Sequence, residues 1–340
     1  MVQNIATVTK NKLAKAKNVL NEKVFTLRVK HKAKNWVWSF VRSIFLLGFA
    51  FVIMYPILIM LSRAFMHRVD IYDNTVLWIP KNFSVENFQI AGDMIQYWPA
   101  FKNSMILAIT ITLVQTLSCL LIGYGFARFN FKLRGFLFGI VIFTIIVPPQ
   151  LLMVPIYLHF RFFDVFGIYK AVTGNRGINL LDTFSPFYLL AITGQGIKNG
   201  LFIYIFRQFF RGMPKETEEA AVVDGAGPFK TFTTIMVPGA LTAITTVALF
   251  SFVWQWNDNT YASLFLKNTK VLPLTYEFLG MFTPEMAAEG MLTTFDTSNP
   301  YFIAMLRSTG VLMMIAPVII LYIFAQKFFV ESIERAGIIG

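Results

Sequence analysis

Charged residues divide this chain into long apolar runs. Uncharged stretches cover 43–62, 103–127, 135–160, 231–257 and 308–326, and each reaches the ~20 helical residues that cross a bilayer core. A further apolar run, Thr183 to Phe206, is interrupted by Gln195, Lys198 and Asn199 and by Gly194, Gly196 and Gly200. An even number of crossings must precede the 207–237 loop if that loop and the N-terminus share a side, so this run is counted as a span. The pattern predicts an all-α membrane protein with six transmembrane helices near 43–62, 103–127, 135–158, 183–206, 237–257 and 308–327. A basic tail, 1–40, precedes a single domain, 41–340.

Prolines fall inside several predicted spans: Pro56, Pro148, Pro149, Pro155 and Pro317. Each removes a backbone donor and bends a helix, which lipid tolerates only where neighbours satisfy the freed carbonyl. Static packing and bending during an access cycle both account for them.

Between the fourth and fifth runs lies a compact polar island. Pro214 suits a helix's first turn, where its missing N–H costs nothing. Glu216, Glu218 and Glu219 follow, favoured there by the helix dipole. Asp224 and Gly225 close that helix, glycine accepting the left-handed conformation. Pro228 starts a second short helix through Phe232 to Met236, and Pro238 marks entry to the fifth span. The island predicts helix, glycine corner, helix over 214–238. Ala220 and Ala221 leave one face without bulk, and Glu219 offers a charge to a partner's arginine.

Composition agrees with the pattern: 56% of the 340 residues are hydrophobic and only 14% are charged, outside the usual range of soluble domains. The net charge of +12 comes largely from basic residues between Lys10 and Arg42, beside the first span. Placed there, they orient the chain and meet anionic membrane lipid instead of nucleic acid. Arg128, Lys132 and Arg134, in the short loop after the second span, point to the same orientation, with both termini cytoplasmic. Val19, Leu20, Val24, Phe25 and Leu27 fit either a surface-lying amphipathic helix or a solvated tail. Residues 43–62 lack a small-residue cleavage site and read as a retained span. The lone Cys119 excludes an intramolecular disulfide and a cysteine metal cluster. The external loops 63–102, 161–182 and 258–307 are mixed in charge and long enough to carry structure.

The polar island resembles the EAA loop of permease subunits in bacterial ATP-binding-cassette (ABC) importers: E-A-A, three residues, G, nine residues, I, any residue, L, P. Glu219, Ala220, Ala221, Gly225, Ile235 and Pro238 match in register, and Val237 replaces the leucine. The resemblance covers about 40–340 and is nearest the carbohydrate-uptake branch, on the side of the smaller maltose-type permease. Asn103-Ser104, Tyr124-Gly125-Phe126-Ala127-Arg128, Val147-Pro148, Phe206-Arg207-Gln208-Phe209-Phe210 and Trp256-Asn257-Asp258 are similar to that branch. The chain departs from it in its longer tail, in the extended 161–195 region and at Asn259-Thr260-Tyr261. The resemblance implies the type I importer architecture and half of a translocation pathway. It also implies a second homologous permease, two ATPase subunits holding ATP and Mg, and an extracellular solute-binding protein. Glu219, Ala220, Ala221, Asp224, Gly225, Ile235 and Pro238 would form the coupling segment.

The chain carries no catalytic arrangement of its own. Gly225-Ala226-Gly227-Pro228-Phe229-Lys230-Thr231 superficially suggests a phosphate loop, but Phe229 stands where a glycine must precede the lysine. His31, His67 and His159 are scattered. No cofactor or metal is expected on this chain.

Candidates for a solute pathway are Gln195, Lys198 and Asn199 in the fourth run and Trp254, Trp256, Asn257 and Asp258 near the fifth run's outer end. Polar groups inside spans commonly line a cavity, and indole faces suit sugar rings. Two other readings stand: Lys198 snorkels outward or pairs with an external Asp, and the tryptophans form an interfacial belt. An importer for an amino acid, peptide or polyamine is the alternative, and an ion-driven secondary carrier a further one.

Overall fold

The computed structural model describes residues 34–73, 75, 76, 78–275 and 299–337. The tail residues Val19, Leu20, Val24, Phe25, Leu27 and His31, and Pro284 in the last external loop, lie outside them. The described residues are helical, with only two isolated backbone bridges, Met66 with Phe83 and Phe163 with Ile178.

The chain divides after Ser62 into two units. The described residues of the first lie in one apolar helix, α1 (Lys34–Ala64), whose Phe45, Leu47, Phe49 and Val52 are exposed. An all-round apolar helix of that length belongs in a bilayer.

The second unit is built on α3 (Tyr97–Arg128), which packs against α8 (Asn199–Gly212) and α12 (Leu241–Trp256). Short α2 (Glu86–Met94) precedes it and lies on the long C-terminal helix α15 (Pro300–Gly337), which also meets α12. A glycine allows the α3–α8 contact: a Cβ built on Gly123 would stand 2.5 Å from Phe206 Cβ. Around it Cys119, Leu120 and Tyr124 of α3 close on Phe202, Phe206 and Phe210 of α8.

Three predicted spans are broken. The third bends by 103° between α4 (Arg134–Ile146) and the segment ending in α5 (Met153–Arg161). Pro148 and Pro149 cause this: Val147, held extended before a proline, terminates α4. The fourth is not one helix over 183–206, because α7 (Ser185–Ile192) and α8 are separated by 193–198. Gly194 and Lys198 in that gap take left-handed conformations. The fifth, α12, follows a 73° bend after Pro228–Gly239. Three described helices, α1, α3 and Pro300–Gln326 of α15, are long and apolar enough to cross a membrane, and five spans result if each of the two bent pairs counts as one.

The loop 161–182 holds α6 (Ile168–Thr173) and the Phe163–Ile178 bridge. Asp182, at φ 62°, ties this region to the chain after α12. Its Oδ1 accepts the amides of Lys267, Asn268 and Thr269 at 2.9–3.1 Å, and its Oδ2 accepts Asn268 Nδ2 at 2.7 Å.

Candidate functional site: a coupling segment and a polar helix break

The polar island folds as its sequence predicts, with shifted bounds. Its first helix, α9, spans Glu216–Val223, two residues later than Pro214, because the Lys215 carbonyl accepts the first helical amides, those of Glu218 and Glu219. Gly225 sits at φ +78° with open space where a Cβ would be. After it come α10 (Pro228–Thr231), a π-helical turn over Phe232–Met236 and α11 (Val237–Gly239). Pro238 therefore lies inside a helical run that precedes the bend into α12.

Glu219, Ala220, Asp224, Gly225 and Pro238 are exposed, and Ile235 is half-buried against the α3–α8 core. Ala221 corrects the expectation of a bare outward face: it is 5% exposed and turned inward, so Ala220 alone keeps the outer side free of bulk. Beside the glycine corner the chain exposes Val222, Val223 and Phe229, the last two at 86% and 80%. These apolar positions follow no motif, and they flank the corner on both sides.

Two anchors tie the segment to the spanning core. Phe232 and Met236 are buried among Tyr124, Phe206 and Phe210, with Tyr124 and Phe232 rings 4.7 Å apart. In addition, Arg128 Nε lies 3.1 Å from Glu218 Oε1, with 6% and 21% of the side chains exposed. That contact is one of charge, without hydrogen-bond alignment. A better-aligned bond runs from an Arg128 terminal nitrogen to the Met213 carbonyl at 2.8 Å. Sequence reasoning placed Glu218 only as a first-turn acid and left Arg128 as a topology signal.

The second cluster surrounds the break between α7 and α8. Gln115, Asn199 and Ser251, each 1% exposed, come from α3, α8 and α12. Gln115 Nε2 donates to the Ile197 carbonyl at 2.6 Å and to Asn199 Oδ1, while Ser251 donates to Gln115 Oε1. Ser118 donates to the Ala191 carbonyl at 2.7 Å. Side chains thus satisfy carbonyls that the helix break releases, which apolar surroundings require. Asn199, predicted to face a pathway, is a buried member of this lock. Gln115 and Ser251 were invisible in sequence because a single polar residue in an apolar run announces no partner.

Trp256 also points inward. It stacks on Phe252 with centroids 5.8 Å apart, meets Phe101 edge-on, and donates its indole N–H to the Met314 carbonyl at 3.0 Å. Asp258 is buried and accepts the Tyr261 amide at 3.0 Å, at the start of α13 (Thr260–Phe265). Burial pushes its carboxyl up to about 6, against backbone amides that favour the anion. Gln195, Lys198, Trp254 and Asn257 remain exposed. Lys198 Nζ stands 4.6 Å from the Trp254 ring centroid, a cation–π pair joining two predicted pathway residues.

The profile of binding-protein-dependent transport system inner membrane components matches residues 119–335, from mid-α3 through α15 and including all of 214–238. The chain belongs to this family. It is therefore an inner-membrane permease subunit of an ABC importer, spans the membrane several times and is no enzyme; ATP hydrolysis belongs to partner ATPases, and a solute-binding protein completes the system.

Among relatives of this permease, the arabinooligosaccharides transport system permease protein AraQ of Halalkalibacterium halodurans is 25% identical over 295 residues, covering 86% of this chain and 93% of that protein. The melibiose/raffinose/stachyose import permease protein MelC of Bacillus subtilis is 27% identical over 270 residues, covering 79% and 86%. In fold, the permease resembles a chain of a bacterial ABC transporter involved in importing the acidic polysaccharide alginate. The TM-score is 0.69 at 22% identity, covering 86% of this chain and 96% of that one.

Proposed function

We propose that this permease forms half of the translocation pathway of an ATP-driven oligosaccharide importer and that the segment 214–238 couples it to the ATPases. The observation that carries the coupling role is the glycine corner. Val222, Val223 and Phe229 expose apolar surface beside Glu219, on a segment whose other side is anchored in the core by Phe232, Met236 and the Arg128–Glu218 contact. Exposed apolar side chains interspersed with the charges of Glu219 and Asp224 suit a cleft of a cytoplasmic ATPase.

Two ATPase subunits, holding ATP and Mg, would grip this segment and its counterpart on a second homologous permease. The three long apolar helices, the two bent pairs and the α7–α8 pair make six spans with both termini cytoplasmic. Gln195, Lys198, Trp254 and Asn257 face the solute path, while Asn199, Trp256 and Asp258 hold its wall. The oligosaccharide assignment is supported by the relatives named for arabinooligosaccharides and for melibiose, raffinose and stachyose.

Reconstitution tests the coupling role. Glu219→Lys with Gly225→Trp should prevent ATPase assembly and abolish transport; unchanged assembly and transport would overturn it. Raffinose and arabinotriose, set against an amino acid and a polyamine in binding assays on the cognate solute-binding protein, test the solute class.

A further inference from the structure

The loop 161–182, which departs from the family pattern in sequence, borders an open surface cavity of about 410 Å³ lined by Arg161, Phe162, Tyr169, Asn175, Arg176 and Asn179. Its size falls within the range of small-molecule sites. Two guanidinium groups, two amides and two aromatic rings line it, and no carboxylate is among the lining residues. Neither arginine forms an ion pair among the described residues. The nearby acid, Asp164, is engaged elsewhere and accepts the Tyr169 and Lys170 amides at 2.8 and 3.2 Å.

The cavity is held in shape by backbone. Phe163 and Ile178 exchange two hydrogen bonds of 2.9 Å, and the Leu180 amide donates to the Phe160 carbonyl at 2.9 Å. Gly177, at φ +147°, lets the returning chain pass so close that a Cβ there would meet the Phe162 backbone at 2.5 Å. Tyr157 Oη accepts from Arg161 at 3.1 Å, which orients that guanidinium while leaving most of its donors unused.

We propose that this cavity is a receiving site for a carboxylate-bearing sugar, so that the importer takes up an acidic oligosaccharide. The paired guanidiniums would bind the uronate carboxylate in fork geometry. Asn175 and Asn179 match sugar hydroxyls, the Tyr169 ring suits a pyranose face, and Phe162 packs under the Arg161 guanidinium at 5.6 Å from its ring centroid. Amides and an aromatic ring beside the guanidiniums suit a sugar acid better than an acidic protein surface, which would need the charges alone. The inference rests on the carbohydrate reading above, and on the orientation that puts this loop outside.

The test uses the full-length chain assembled with its partner permease and ATPases in phosphatidylcholine nanodiscs. Binding of trigalacturonic acid and of its methyl ester is measured by calorimetry. The acid should bind about tenfold more tightly, the scale of one additional charge-assisted bond. That preference should disappear in Arg161→Gln and in Arg176→Gln, and persist in Lys170→Gln, which alters the same loop outside the cavity. Equal binding of acid and ester, or an unchanged preference in both arginine variants, overturns the proposal. So does loss of the acid's binding in phosphatidylglycerol nanodiscs, which assigns the oxyanion to a lipid headgroup. Weaker capture of the solute-binding protein by the arginine variants, with no discrimination between acid and ester, likewise overturns it. Uptake of neutral raffinose by the same subunits in sealed liposomes, with the solute-binding protein added, reports separately on the carbohydrate reading.

Discussion

Arg128 Nε lies 3.1 Å from Glu218 Oε1, joining the last turn of α3 to the first turn of α9. A cation ending one helix and an acid beginning another each suit their own helix dipole, and here they also meet. Within the motif the adjacent acids divide the work. Glu218 faces the spanning core, and Glu219 faces out.

This pair should behave as a unit. Because it is more buried than a surface pair and less than a core one, a double-mutant cycle of Arg128→Ala and Glu218→Ala should give a coupling energy of about 1–3 kcal/mol. Arg128→Ala should be the worse single change, since it also releases the Met213 carbonyl. In the assembled importer, Glu218→Ala should leave ATPase binding intact while lowering transport per ATP hydrolysed. Strict additivity in the cycle would remove Arg128–Glu218 as a link.

Gly123 should tolerate no side chain. The Cβ of an alanine there would meet Phe206 Cβ at 2.5 Å and the Arg207 amide at 3.1 Å, forcing α3 and α8 apart at a cost of about 1–3 kcal/mol. Gly125, two residues on, is the control, because its nearest neighbour lies at 4.0 Å. Thermal unfolding in detergent should separate Gly123→Ala from Gly125→Ala, and equal midpoints would show that the close approach carries no weight.

How much was legible in the sequence follows from the range of each interaction. Pro214, Gly225 and Pro228 act on their own backbone, so the helix-corner-helix was readable, though α9 begins at Glu216. The glycines of the fourth run were visible too, but counting 183–206 as one span left the break at 193–198 to the structure. What could not be read depends on residues distant in sequence. The inward turn of Ala221, the burial of Trp256 under Met314 and the lock of Gln115 on Asn199 and Ser251 each require knowing which helix lies opposite. Apolar periodicity says little about this in a membrane protein, where outward faces are as hydrophobic as inward ones.

The Gln115–Asn199–Ser251 lock should be costly to break singly. Asn199→Leu leaves a buried Gln115 amide short of a partner, and Gln115→Leu strands both Asn199 and Ser251; each should destabilise by about 1–3 kcal/mol. Changing both Gln115 and Asn199 to Leu should cost less than the sum, since neither is then left unpaired. Chemical denaturation of the single and double variants in one detergent would measure this, and a fully additive double variant would mean the network is not cooperative.

Acid should open the link between Asp182 and the chain at 267–269. The Thr269 and Asn268 amides, with help from the Asn268 side chain and Lys267, hold the Asp182 carboxyl well below the usual carboxylate range, against a smaller opposing effect of burial. A carboxyl whose folded pKa is depressed contributes stability above its unfolded value of about 3.9 and loses it as pH falls toward the folded value. The unfolding midpoint should therefore fall more steeply below about pH 4 in the native protein than in Asp182→Asn. Asparagine keeps the left-handed backbone of residue 182 accessible, so the variant should fold with a lower midpoint at pH 7 and a flatter acid limb. Parallel acid limbs in the two proteins would place the acid-sensitive group elsewhere.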